Sequence, residues 1–257
     1  MDHDTKAAVC GPDGCTDAAP GTALDPAAGA APRPQAATGP GTRLDIVSDA
    51  ICPWCYIGKR HLERALALLA PEGLRFSVHW NPFQLNPDMP KEGVERAAYR
   101  AAKFGSAARA RELDARVAAA AAAAGLTFDL DRILRTPNTL NAHRLIWLAG
   151  REGVQDAAME AVFAAYFFEG SDIGEPAILA DCAAAAGLAR RTVLDFLASG
   201  GMEAEMRAAD QAAREAGVNG VPSFFLDGYG LFSGAVPVAE MAEALRRGRQ
   251  ILVSRAA

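Results

Sequence analysis

The chain has 257 residues, 51% of them hydrophobic and 22% charged, and its 26 Lys and Arg against 31 Asp and Glu leave a formal net charge of −5. With no long Lys/Arg cluster, this acidic, globular-type composition offers no electrostatic footprint for nucleic acid or for an anionic membrane surface. The opening Met1–Lys6 lacks the basic start and apolar run of a secretory signal, and no stretch of about 18 large apolar residues occurs, so a cytoplasmic protein with no membrane partner is expected.

Much of the hydrophobic fraction is alanine, 57 residues in all, the residue with the best intrinsic helix propensity, so the body of the chain is expected to be helical. Residues 1–42 hold six of the fifteen prolines and six glycines, with Val9 and Leu24 as the only aliphatic anchors. Such a segment buries too little apolar area to offset its ordering entropy and is expected to be a disordered tail. The texture changes at Arg43. Leu44–Ser48 is a β-type run, and a helix is predicted from Pro53, with Leu62, Ala65, Leu66 and Leu69 at helical spacing and Pro71 and Gly73 to stop it. Leu74, Phe76, Val78 and Trp80 then alternate with more polar residues, predicting a second strand parallel to the first.

From Glu92 to Gly217 no strand is expected. Helices are predicted over 106–124, 137–150 (with Thr136 and Pro137 as cap and first turn), 155–169 and 176–186. Strand texture returns at Ser223–Leu226, an Asp227-Gly228 hairpin turn and Tyr229–Phe232, followed by a helix carrying Val238, Met241, Ala242 and Leu245. The fold expected is α/β: one domain made of 43–91 and 218–257, interrupted by an all-helical insertion over 92–217.

Five cysteines stand at 10, 15, 52, 55 and 182, too few to build a disulfide scaffold in a chain able to bury its own core. In a reducing compartment a close pair is catalytic, redox-sensing or metal-binding more often than structural. Cys52-Pro53-Trp54-Cys55 falls between the first strand and the first helix. There the unpaired N–H groups and the helix dipole favour an anion, so the Cys52 thiolate is expected to be stabilised and its pKa to fall. Pro53 at the first helical position forfeits no hydrogen bond. Cys55, one turn on, can attack a mixed disulfide formed at Cys52, which makes Cys52 the nucleophile and Cys55 the resolving thiol. Gly220-Val221-Pro222-Ser223 opens a late strand; a cis Val221–Pro222 bond there would present the backbone of Val221 to an extended substrate strand. Trp54 and Phe83 are candidates to line an apolar groove, although core packing accounts for them equally well.

The chain resembles the DsbA family of thioredoxin-fold oxidoreductases, in particular its FrnE-like branch. The resemblance is carried by Asp49-Ala50-Ile51-Cys52-Pro53-Trp54-Cys55-Tyr56-Ile57-Gly58-Lys59, by Gly220-Val221-Pro222-Ser223-Phe224, and by Trp80–Pro87, Lys103-Phe104-Gly105, Asn138–Leu145 and Ser233-Gly234-Ala235. It implies a thioredoxin domain with a helical insertion, thiol–disulfide exchange, Cys52 and Cys55 as the redox pair and a cis-proline at Pro222. It also implies disulfide- or thiol-containing protein substrates, an unidentified thiol electron donor or acceptor, and no metal or organic cofactor. Glutathione-dependent hydroxychromene-carboxylate isomerases and kappa-class transferases share the architecture but use a serine where Cys52 stands, and they are the alternative. A zinc- or thiol-sensing module, with Cys10 and Cys15 completing a four-cysteine site, is a third reading.

Cys10 and Cys15 bracket a Gly-Pro-Asp-Gly turn able to close a small disulfide loop, an auxiliary redox pair that could exchange with Cys52 and Cys55 as a tethered substrate or regulator. Cys182, in an alanine-rich helix, reads as a small buried hydrophobe. Asp49 reads as a proton acceptor, as a charge that raises the thiolate's pKa, or as a turn residue, and Asn138, His143 and Arg144 as substrate contacts facing the cleft or as a polar helix surface, the surface being the safer reading.

Overall fold

The computed structural model describes residues 8–11, 14–17 and 41–256. Most of the expected 1–42 tail lies outside these residues, but the described parts form a hairpin, β1 (Ala8–Gly11) against β2 (Gly14–Asp17). The central sheet contains β3 (Thr42–Ser48), β4 (Phe76–Pro82), β7 (Ser223–Leu226) and β8 (Tyr229–Ser233), in the order β4-β3-β7-β8. β3 pairs parallel with β4 and antiparallel with β7. As an interior strand it buries Leu44, Ile46 and Val47, and the acid among them, Asp45, is buried in a pair with Arg43 at 2.6 Å and accepts from Asn81 Nδ2 at 3.0 Å. The turn from β7 to β8 uses Asp227 and Gly228, both at positive φ (49° and 86°), which is the geometry that favours Asp-Gly in two-residue hairpins.

Helix α1 (Pro53–Leu69) follows β3 directly and buries Leu62, Ala65 and Leu69. It packs on α9 (Val238–Ala256), which closes the chain. Between the two halves of the sheet run the short β5 (Val94–Glu95), α2 (Arg96–Phe104), α3 (Ala107–Ala123), the short β6 (Arg135–Thr136), α4 (Leu140–Arg151), α5 (Gln155–Phe167), α6 (Pro176–Ala185), α7 (Arg190–Ala198) and α8 (Glu203–Glu215). The helical character matches expectation; the β5–β6 ladder does not. Thr136 is committed to that ladder, so α4 begins at Leu140 rather than Pro137, its entry fixed by Asn138, whose Oδ1 accepts the Leu140 N–H at 3.0 Å.

α4, α5 and α8 lean on β4. β4 is an edge strand, and Gln155 at the start of α5 covers its free side: Trp80 N–H donates to Gln155 Oε1 at 2.9 Å, and Gln155 Nε2 donates to Trp80 O at 3.1 Å. Trp80 Nε1 donates to Asp156 at 2.9 Å. An aromatic cluster of Tyr56, Phe128, Phe163 and Phe167, with neighbouring centroids 4.6–5.8 Å apart, joins α1 to α5.

Candidate redox site

Cys52 is the N-cap of α1, in extended conformation, and Pro53 opens the helix. A tight turn leads in, with Cys52 N–H donating to Asp49 O at 3.1 Å, and Cys55 N–H donates back to Cys52 O at 3.1 Å. Both sulfurs are free thiols, and both residues are fully buried. The Val221–Pro222 peptide is cis, and the Cys52 thiol donates to Val221 O at 3.7 Å. Gly234 N–H on Pro222 O and Ser223 Oγ on Gly220 O, each 2.7 Å, tie this loop to the sheet. The sequence-predicted Cys52, Cys55, Pro53, Trp54, Val221 and Pro222 therefore converge at one corner.

The auxiliary Cys10 joins them. Its N–H donates to Val221 O at 3.0 Å, and Val221 N–H donates to Cys10 O at 2.7 Å, a closed antiparallel pair. Cys10 is disulfide-bonded, 1% exposed, and opposite Cys15 in the β1–β2 ladder. One carbonyl oxygen, that of Val221, thus accepts from both Cys10 and Cys52.

The helix start does not lower the Cys52 pKa. Burial pushes the thiol well above its usual range, and the adjacent Cys55 and the Asp49 carboxylate push the same way. The helix dipole favours the anion, but here the thiolate would be dry, and the cost of desolvation outweighs that help.

Asp49 is fully buried. Its Oδ2 accepts Leu85 N–H at 2.7 Å, while Oδ1 accepts no hydrogen bond and lies 3.5 Å from His143 Nε2. His143 and Arg144 are not on a polar surface. His143 Nε2 faces Phe83 O at 3.1 Å. The fully buried Arg144 donates to Gly201 O at 2.7 Å, Leu197 O at 3.0 Å and Phe196 O at 2.9 Å, satisfying the open C-terminal end of α7. Phe83 is wholly buried beneath the Arg214 guanidinium, 4.2 Å above its ring, which is the core packing its sequence position also allowed. Cys182 donates to Ala161 O at 3.6 Å, its pKa pushed up to about 11 mainly by burial, as suits an inert core thiol.

Trp54 does line a cavity of about 90 Å³ beside the dithiol, together with Cys10, Pro53, Arg96, Arg100 and Lys103. Two buried donors among its lining residues, Trp54 Nε1 and Arg100 Nε, have no hydrogen-bond partner among the described residues. Among the described residues no group of three or more His, Cys, Asp or Glu side chains is placed to hold a metal, and no helix is long and apolar enough to cross a membrane.

Arg96, Arg100 and Asp114 in the cavity wall are site residues to which the sequence assigns no role, and Gly58 is another. A Cβ there would stand 3.1 Å from Pro222 Cγ, so a bare α-carbon lets α1 approach the proline loop. A glycine inside a helix costs about 1 kcal/mol, and that local expense was the available signal.

The DSBA-like thioredoxin domain family matches residues 43–246. Among solved structures, a probable DsbA oxidoreductase from Streptomyces coelicolor is 33% identical with a TM-score of 0.73, covering 80% of this chain and 89% of that one. A 2-hydroxychromene-2-carboxylate isomerase (19%, TM-score 0.60, covering 84% and 100%) and the cytosolic disulfide reductase DsbM from Pseudomonas aeruginosa with GSH (18%, TM-score 0.55, covering 83% and 98%) share the fold. No curated protein matches. The chain belongs to the DsbA-like thioredoxin-domain family of disulfide oxidoreductases.

Proposed function

We propose that the chain exchanges thiols and disulfides through Cys52 and Cys55. The observation that carries this reading is the placement of the Cys52 thiol at the N-cap of α1 and within 3.7 Å of the Val221 carbonyl, on a backbone edge that already pairs with an extended segment. In the forward direction the Cys52 thiolate attacks one sulfur of a substrate disulfide. A Cys52–substrate bond forms, the substrate S–S bond breaks, and the departing sulfur takes a proton. Cys55 then loses its proton and attacks the Cys52 sulfur, forming the Cys52–Cys55 disulfide and releasing the second substrate thiol. Two electrons and two protons pass to the substrate, and two external thiol groups, themselves oxidised to a disulfide, restore the dithiol. Val221 and Pro222 position the substrate strand, while Pro53 and Trp54 shape the approach. The disulfide at Cys10 is a candidate internal substrate for the same exchange, with the N-terminal hairpin as its carrier.

The test is dithiothreitol-driven insulin reduction. Activity should fall to background in Cys52→Ser, and Cys55→Ser should accumulate mixed disulfides visible on non-reducing gels. Identical behaviour of the two variants would overturn the assignment of roles.

One observation favours a glutathione-type partner as the thiol: the cavity beside Trp54 is lined by Lys103 and by Arg96 and Arg100, which share Asp114 at 3.1 and 2.6 Å, and it holds two donors, Trp54 Nε1 and Arg100 Nε, that find no acceptor among the described residues. A small thiol bearing carboxylates supplies the acceptors those donors lack. Faster turnover with glutathione than with cysteamine at equal thiolate concentration supports this; equal rates count against it.

A further inference from the structure

We infer that the N-terminal hairpin is a resident pseudosubstrate: its strand β1 occupies the backbone edge of Val221 that a substrate chain would use, so that external strands must displace it. The inference rests on the proposed thiol–disulfide reading for what the edge is for, but not for whether the hairpin covers it.

A chain that pairs with Val221 must offer one N–H and one C=O at the same residue, and Cys10 offers both, at 3.0 and 2.7 Å. The residue that makes this pair is a cysteine in a disulfide, the functional group that the dithiol is built to meet. The fit is close: a Cβ added to Gly11 would stand 2.5 Å from the carbonyl oxygen of Asn219, a backbone atom that cannot swing aside. Only a residue without a side chain passes at that point, so Gly11 permits the seat that Cys10 takes. Cys10 and Gly11 also form part of the wall of the cavity beside Pro53 and Trp54. Cys10 is 1% and Cys52 0% exposed, a closed face where an enzyme acting on protein chains needs an open one. Because the hairpin belongs to the same chain, its effective concentration at the edge is on the order of millimolar, enough to outcompete weak external strands.

The test uses the full-length protein and Gly11→Ala, which pushes the hairpin off Asn219 without touching the cysteines. The probe is a fluorescein-labelled, oxidised peptide with the sequence of residues 8–17. It should bind Gly11→Ala at least about tenfold more tightly than wild type, since the tethered competitor is gone. Equal affinity for the two chains, or binding to neither, overturns the inference. A second reading is amide hydrogen exchange at Val221, whose N–H is held by Cys10 O: exchange should quicken at least about tenfold in Gly11→Ala, and unchanged exchange likewise overturns it. Neither readout involves turnover, so insulin reduction that survives in Cys52→Ser would sink the proposed chemistry while leaving the hairpin's seat to be judged by these two measurements.

Discussion

Cys52 and Lys59 lie two turns apart on α1, both almost completely buried, and their surroundings are opposite. Lys59 Nζ is met by three carboxylates: Glu63, Asp156 at 3.1 Å and Glu160 at 3.0 Å. Burial alone would lower its pKa, but these partners raise it, and Glu160 in turn is held below the usual carboxylate range against its own burial by Tyr56, Lys59 and Arg60. Cys52 meets a carbonyl at 3.7 Å, another thiol, and the charge of Asp49, all of which disfavour its anion or barely support it. A buried polar group that is fully paired fixes the structure; one left underpaired is held in a state that a partner can change. The first turn of α1 is thereby suited to chemistry and the second to anchoring the helix on α5.

Substitutions that separate the two roles test this contrast most severely. Cys52→Ser should remove disulfide reduction entirely while shifting the urea midpoint little. Lys59→Ala should remove the cation shared by three carboxylates, two of which keep Arg60 as a partner, and cost about 3 kcal/mol of unfolding free energy by urea titration, the low end for a buried ion pair because the carboxylates left behind stay partly solvated; a cost below about 1 kcal/mol would make the cluster ornamental. Arg144→Ala, which strips donors from three carbonyls at the end of α7, should cost about 3 kcal/mol by the same measurement, with activity retained in whatever folds. Asp49→Asn keeps an oxygen for Leu85 N–H but removes a charge that raises Cys52, so the midpoint of the pH profile for iodoacetamide labelling of Cys52 should fall, by less than about one pH unit. Smallest is the pH dependence of stability. The folded Cys52 pKa lies above that of the unfolded thiol, about 8.5. Its contribution is intact below that value and is lost as pH rises, because the unfolded chain releases the proton first. Wild type should lose more stability than Cys52→Ser between about pH 8 and pH 10.

The parts legible in sequence were those whose cause is local. The Cys-Pro-Trp-Cys junction declares itself through a strand run, a proline at the first helical position and a two-residue spacing, and the β7–β8 turn through Asp227-Gly228. What escaped depends on partners far along the chain. Arg144 and His143 look like surface residues because their charge is visible and the carbonyls that receive them, at 196, 197, 201 and 83, are not. The spacing of Cys10 and Cys15 suggests a pair able to reach the dithiol, but not the backbone seat that Cys10 takes on Val221, a partner more than two hundred residues away. The lowered Cys52 pKa failed as an expectation for a related reason: helix position can be read from a string of residues, but dryness cannot.

The side-chain amide of Gln155 has a consequence for how the protein behaves in a crowded solution. By giving Trp80 a donor and an acceptor in the positions where a neighbouring strand would place them, it fills one rung of the border of the sheet with a group that cannot propagate the ladder. Along β4, a margin that ends at Trp80 in a side chain rather than in open peptide groups gives other molecules less to extend, which disfavours edge-to-edge pairing at that strand.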